Sequence, residues 1–356
     1  MNRIDSVDVG RGMAMLMVVG SHAIEWSRAG ELSEPIQTLH VIFASAMLPM
    51  FFFLSGALGS RAVASSWRKM LLSRVAPLLW VFVLWQPAVF AYKFTAGQIL
   101  PEQEDTSLAA HLVRAGASFV RPSGELWFIW ALAIFFVVVK LLHRVPAVVL
   151  GVVAGVVSLA WLSFSGVLLG ESFSRLLGPG LNGLPTYFFF FVLGLVSSDI
   201  TMKWMSRASS EISGRLVVVV VAWLGIIIFA SVFQVFDAPI IVFVIKVVGL
   251  VGGLAAAVLL SRVRFLRFIG QGSMPIYLTH SPLIVGCISV LYATQLVDVP
   301  WPWWGTLILV ALVVPVGLLL HVLNTKGHLV WLVALPSWLN SWLARVGASS
   351  GERQPL

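Results

Sequence analysis

The sequence is poor in charge and nearly free of cysteine. Of its 356 residues only 11% are Asp, Glu, Lys or Arg, and there are one Cys and four Tyr. An ordinary soluble domain carries about 25% charged residues, so a surface clad in charge is excluded. The lone Cys287 sits in an apolar stretch, which excludes a disulfide framework. Period-two alternation is missing as well. Membrane strands run about 10 residues with apolar and polar alternating, whereas LVVVVVAWLGIIIFASVF (216–233) is continuous. There is no Walker-type phosphate loop, no G-x-G-x-x-G after a strand and no G-x-S-x-G elbow. No Cys/His spacing suits a metal, so none is expected.

What the chain has is apolar residues: 59% of the total, with 15 Trp and 23 Phe. That composition defines an all-α integral membrane protein. About ten transmembrane helices are expected, near 9–27, 39–58, 70–92, 125–142, 146–162, 185–200, 214–234, 239–260, 273–294 and 303–323. The segment LVWLVALPSWLNSWLARV (329–346), broken by Pro336 and rich in Trp, reads as one interfacial helix rather than an eleventh span. Residues 1–325 are therefore expected to form the transmembrane domain, and 326–356 the interfacial helix and a cytoplasmic tail. The N-terminal segment lacks a small-residue cleavage site, so a retained first helix is expected rather than a signal peptide.

Charge placement tests this topology. With both termini cytoplasmic, seventeen Lys and Arg face five acids inside, from Arg3 to Arg353. Outside, five Lys and Arg face ten acids, among them the acidic PEQED (101–105), and Lys246 falls within a span. The net charge of +8 is thus a topology signal, not a nucleic-acid footprint. No nucleic-acid partner is expected, and membrane lipids are.

Ionisable residues inside spans are costly and often functional. Arg11 and His22 lie eleven residues apart, about 1100° of helix, so they share a face and differ in depth by about 16 Å. Glu25, at i+3 from His22, is placed to accept its hydrogen bond. Ser55 and Gly56 permit close backbone approach in the second span. The inner loop carrying Arg61, Arg68, Lys69 and Arg74 suits anionic lipid or a phosphorylated ligand. Glu125 and Trp127 are expected at the outer mouth of the fourth span, and Tyr187 in the aromatic entry to the sixth. Ser273 has the character of an N-cap with Pro275 in the first turn, and Tyr277 and His280 share a face beyond it, turned to the inner entrance. A transporter, an enzyme passing a group across the membrane and a non-catalytic scaffold all fit these features.

Five segments together resemble the integral-membrane acyltransferase family 3, whose bacterial members O-acetylate sugars. They are DVGRGMAMLMVVGSH (8–22), LPMFFFLSGAL (48–58), ELWFIWAL (125–132), YFFFFVLG (187–194) and QGSMPIYLTHSPL (271–283). One departure is Leu71, where the family carries an Arg three residues before the one matched by Arg74. The resemblance implies acetyl-CoA as a donor used from the cytoplasm and a glycan or glycolipid hydroxyl as acceptor, in a bacterial inner membrane. It implies His22 as general base, with Glu25 orienting it and His280 as the rival. Arg11, Arg61, Arg68, Arg74 and Ser273 would serve the donor, and Tyr277 or His280 would donate to the oxyanion. Glu125, Trp127 and Tyr187 would meet the acceptor.

Overall fold

Apolar segments in a bilayer must satisfy every backbone group internally, and a helix does this within one segment. The computed structural model describes residues 4–100, 107–122, 124–167, 170–208, 214–236, 238–296 and 300–349. The PEQED run, Arg3 and Arg353 lie outside the described residues. In chain order the helices are α1 (Asp5–Ser27), α2 (Glu34–Ala64), α3 (Trp67–Met70), α4 (Ala76–Ile99) and α5 (Leu108–Ala117). They continue with α6 (Trp127–Leu141), α7 (Ala147–Val167), α8 (Gly170–Val196), α9 (Ser198–Ala208) and α10 (Gly214–Val232). The last are α11 (Pro239–Leu259), α12 (Arg264–Gln271), α13 (Ser273–Ala293), α14 (Trp303–Thr325) and α15 (Ser337–Ser349). Among the described residues there is no strand.

Every expected span coincides with a helix, and the chain is a multi-pass membrane protein. Eight helical segments are long and apolar enough to cross a bilayer. The other two depart for different reasons. α1 spends its length on Asp8, Arg11 and Glu25, while α6 has 15 residues and is about 22 Å long, short of the roughly 30 Å of hydrocarbon. The helix ends sort into two groups, as repeated crossing of a bilayer requires. At one end Ser6 Oγ donates to the Met205 carbonyl, Arg267 pairs with Asp5 at 2.5 Å, and Lys140 Nζ donates to the carbonyls of Val63 and Ser65. At the other, Trp301 N–H donates to the Ser27 carbonyl and Thr38 bonds Ser231.

α2 runs through the middle of the bundle, and glycine sets how closely its neighbours approach. A Cβ on Gly56 would lie 2.0 Å from the Phe191 carbonyl oxygen, and one on Gly194 would lie 1.9 Å from that of Phe53. α2 and α8 therefore cross backbone against backbone, the small-residue packing that the sequence marks at Gly56. The same device joins α1 to α12, where a Cβ on Gly12 would meet the Leu266 carbonyl oxygen at 2.1 Å. Phe52, beside the α2–α8 crossing, packs on Trp127, Phe128, Phe135 and Tyr187.

Three expectations are corrected. α8 begins before residue 185 and passes through a kink at Gly178, whose φ of 68° is open to glycine and not to most residues. The 329–346 segment is not one helix. Pro336 splits it into a 3-10 turn at Val330–Leu332 and α15. The turn hangs from α4, because the Trp80 and Trp85 indoles donate to the carbonyls of Trp331 and Leu332, each at 2.8 Å. Ser273 is also not the cap of α13. Gly272 holds that position, directly after α12, and the Ser273 hydroxyl is spent on a cation described below.

Gly194→Leu is expected to cost more than about 3 kcal/mol, because the clashing atom is backbone and cannot turn away. Gly225→Ala, with open space around it, is expected to be neutral or slightly stabilising. Thermal unfolding of both variants in lipid nanodiscs measures the contrast.

Candidate functional site

A cavity of about 430 Å³ opens between α1, α2, α4, α6 and α13. α1 lines it with Arg11, Val18, His22 and Glu25, one stripe of the helix from its first turns to its last. The shared face inferred from eleven-residue spacing is thus the wall of a single chamber. Polar groups gather at its two ends, and the middle is apolar, including Phe51, Leu54 and Leu132.

At the first end Arg11 Nη2 donates to Ser273 Oγ at 2.8 Å. Arg74 stands there too, its Nη2 donating to the Leu58 carbonyl at 2.9 Å and its guanidinium 6.0 Å from the centre of the Phe136 ring. Arg74 sits in a π-turn, Leu71–Val75, that joins α3 to α4. Proline is the local cause: Pro77 has no N–H to donate to the carbonyl four residues before it. Single π-turns of this kind recur at functional sites. Of the other inner-loop residues, Arg61 is exposed at the end of α2, and Arg68 lines a separate shallow depression with Lys69 and Ser73. Neither lines the main cavity.

At the second end polar side chains satisfy one another, with Glu25 exposed and His22 and His40 partly buried. His22 Nδ1 lies 2.8 Å from Glu25 Oε2, and His40 Nε2 lies 3.2 Å from Glu25 Oε1. A carboxylate only accepts, so each of those ring nitrogens carries a proton, and in the neutral imidazole His22 Nε2 keeps its lone pair. His280 is fully buried, its ring centre 5.2 Å from that of His22. Its Nδ1–H donates to the Tyr277 carbonyl at 2.6 Å, which leaves Nε2 without a proton in the neutral ring. The Tyr277 hydroxyl donates to the Glu125 carbonyl, and the Tyr92 hydroxyl to the Glu125 carboxylate.

This geometry moves two groups from where the sequence places them. Glu125 is not at the outer mouth. α6 is short, so its N-terminal end lies within the bundle, where Glu125 meets α4 and α13. Tyr277 and His280 accordingly face Glu125 and His22, not the inner entrance. The proton of Tyr277 and that of His280 are both committed to backbone carbonyls, so neither is aimed at the cavity as an oxyanion donor. Trp127 lines the cavity. Tyr187 is behind it, stacked on Phe52 at 5.3 Å and accepting a hydrogen bond from Lys246 Nζ at 3.1 Å.

Sequence reasoning missed Tyr92, His40 and the partner of Lys246. The signal existed: each is a polar residue at or within an apolar run, one of only four Tyr in the case of Tyr92. Tyr92→Phe strips a donor from the half-buried Glu125 carboxylate. It is expected to lower stability by about 1–3 kcal/mol, read as a shift of the thermal midpoint in nanodiscs.

Residues 4–322 match a family model described as an acyltransferase domain. No curated protein and no solved structure matches the chain.

Proposed function

The chain belongs to the acyltransferase family, and we propose that it moves an acetyl group from acetyl-CoA to a hydroxyl of a cell-surface or lipid-linked glycan. The observation that carries this reading is the single cavity with guanidinium groups at one end and a carboxylate-held imidazole at the other. Acyl transfer needs that pairing: a cationic seat for the phosphates of the donor, and a base near neutrality for the acceptor hydroxyl. Arg74 and Arg11 take the donor end, with Ser273 holding Arg11 in place. The apolar middle suits the uncharged arm that carries the thioester.

At the far end His22 Nε2 takes the proton of the acceptor hydroxyl as its oxygen attacks the thioester carbonyl. The new C–O ester bond forms, the C–S bond breaks, and His22 returns the proton to the departing thiolate. Glu25 fixes the tautomer through Nδ1–H and stabilises the imidazolium between the two proton transfers. His280 packs against His22 and keeps the imidazole in position, its own Nδ1–H held by the Tyr277 carbonyl. Arg61 and Arg68 serve the inner surface rather than the donor seat. On this reading the protein sits in a bacterial inner membrane with both termini cytoplasmic; the basic residues gathered at one end support that orientation.

His22→Ala is expected to lower kcat/KM for transfer from labelled acetyl-CoA by about 10²–10⁴-fold. Glu25→Gln is expected to lower it by at least about tenfold through loss of the imidazolium partner. Full activity in His22→Ala with loss in His280→Ala would move the base to His280. A secondary transporter, the alternative reading, predicts substrate flux into vesicles with no chemical change and no acetylated product.

A further inference from the structure

A pocket of about 310 Å³ lies at the end of the bundle where Arg267 pairs with Asp5, apart from the main cavity. Ser261, Arg262, Arg264 and Arg267 line it from the turn between α11 and α12 and the first turn of α12, and Asp5 lines it from the start of α1. That carboxylate is already spent, because Asp5 Oδ2 accepts from the Arg267 guanidinium at 2.5 Å. Arg262 and Arg264 are exposed, and neither has a hydrogen-bond or ion-pair partner among the described residues. Ser261 is only 6% exposed, and its hydroxyl is likewise unpartnered among them. The pocket thus presents two uncommitted guanidinium groups and one uncommitted hydroxyl.

α12 turns this pocket toward lipid. Arg264 and Arg267 lie three residues apart, as do Phe265 and Phe268, so the helix carries a cationic edge beside an aromatic one. Phe265 is 60% exposed, and Phe268 and Val263 are exposed beside it. Ile269 and Gly270 are buried on the remaining side, where a Cβ on Gly270 would strike the Asp8 carbonyl of α1. A helix of this pattern lies in the bilayer surface, with its rings against acyl chains and its cations at the level of the headgroups.

We propose that this pocket seats an anionic phospholipid of the adjacent leaflet. Arg262, Arg264 and the Ser261 hydroxyl hold its phosphodiester, and its acyl chains run along Phe265 and Phe268. Charge complementarity selects this occupant: guanidinium groups match phosphate oxygens two at a time, whereas a zwitterionic lipid brings a cation of its own to the same place. The exposed rings favour a lipid over a free phosphate, which would leave them uncovered. The bound lipid also braces the Arg11 end of the main cavity. α12 is clamped to α1 at Gly12, at Gly270 and through the Arg267–Asp5 pair, and it leads directly into α13, whose Ser273 holds Arg11. The inference rests on these contacts and not on the acyl-transfer reading.

The test uses the full chain in phosphatidylcholine nanodiscs, with and without phosphatidylglycerol, and native mass spectrometry of the lipid that stays bound on release. The wild-type chain is expected to retain phosphatidylglycerol. Arg262→Gln/Arg264→Gln is expected to retain at least about tenfold less, since two cations at an anionic surface together contribute about thirtyfold. Arg61→Gln, which alters an exposed cation outside the pocket, is expected to keep the lipid. Phosphatidylglycerol should also raise the thermal midpoint. The double variant should lose that rise while matching wild type in phosphatidylcholine alone, because neither side chain has a partner to lose. Equal retention by wild type and double variant overturns the inference. So does an equal loss in Arg61→Gln, which would mark a general attraction to the basic end. Glycerol 3-phosphate raising the midpoint as far as phosphatidylglycerol does would make the ligand a free phosphate and overturn the lipid. Phe265→Ser leaves the cations in place and is expected to weaken retention as well. Full retention there overturns the seat along α12, whatever the fate of the double variant.

Discussion

A helix that carries Arg11, His22 and Glu25 through hydrocarbon must find a partner for each of them, and the rest of the bundle is arranged around that requirement. α13 supplies Ser273 to Arg11, α2 supplies His40 to Glu25, and α13 again supplies His280 to the face of His22. Unpaired, any of these groups would be costly in the bilayer core. Paired, they form a polar seam that fixes how α1, α2, α4, α6 and α13 sit together. Glu125 belongs to the same seam, its carboxylate bonded by Tyr92 and its backbone carbonyl by Tyr277, which tie the N-terminal end of α6 to α4 and α13.

The seam can be this narrow because the helices around it touch through backbone. The crossings at Gly56 and Gly194, and at Gly12, bring main chains closer than any side chain allows. Hydrocarbon gives no hydrophobic push between helices, so contact of this kind and interhelical hydrogen bonds must hold the bundle. Close crossings on either side of the cavity also limit how far its walls can shift. The polar residues are therefore presented on a stiff frame, with a local departure, the π-turn at Leu71–Val75, placed where Arg74 enters.

Much of this was legible in the sequence, because composition and helical period act locally. The apolar runs gave the helices, the eleven-residue spacing gave the common face of Arg11 and His22, and i+3 gave Glu25 as the imidazole's partner. Gly56 announced a close crossing without naming Phe191 as the other side. What period cannot give is depth and partnership. Glu125 reads as an outer-mouth residue until α6 is seen to be 15 residues long. Ser273 reads as a cap until a guanidinium from 262 residues away claims its hydroxyl. The Trp-rich 329–346 stretch reads as a surface helix because the indoles of Trp80 and Trp85 that hold its turn are some 250 residues earlier. Tyr187 carries an aromatic motif but faces Lys246, a pairing only the packing of α8 on α11 creates.

The separation of Arg11 from His22 along one stripe of α1 has an electrical consequence. Carrying an ion across a polarised membrane costs about 2.3 kcal/mol per unit charge per 100 mV, and a donor bearing several phosphates would pay that for each. With guanidinium groups at one end of the cavity and the base about 16 Å further on, the anionic part of the donor never has to leave its own side. The acyl group passes the seam one way and the proton of the hydroxyl the other, so no net charge crosses and the membrane voltage does no net work on the exchange. On the proposed reading the reaction is indifferent to the membrane potential, and the rate of transfer is the same in energised and de-energised vesicles.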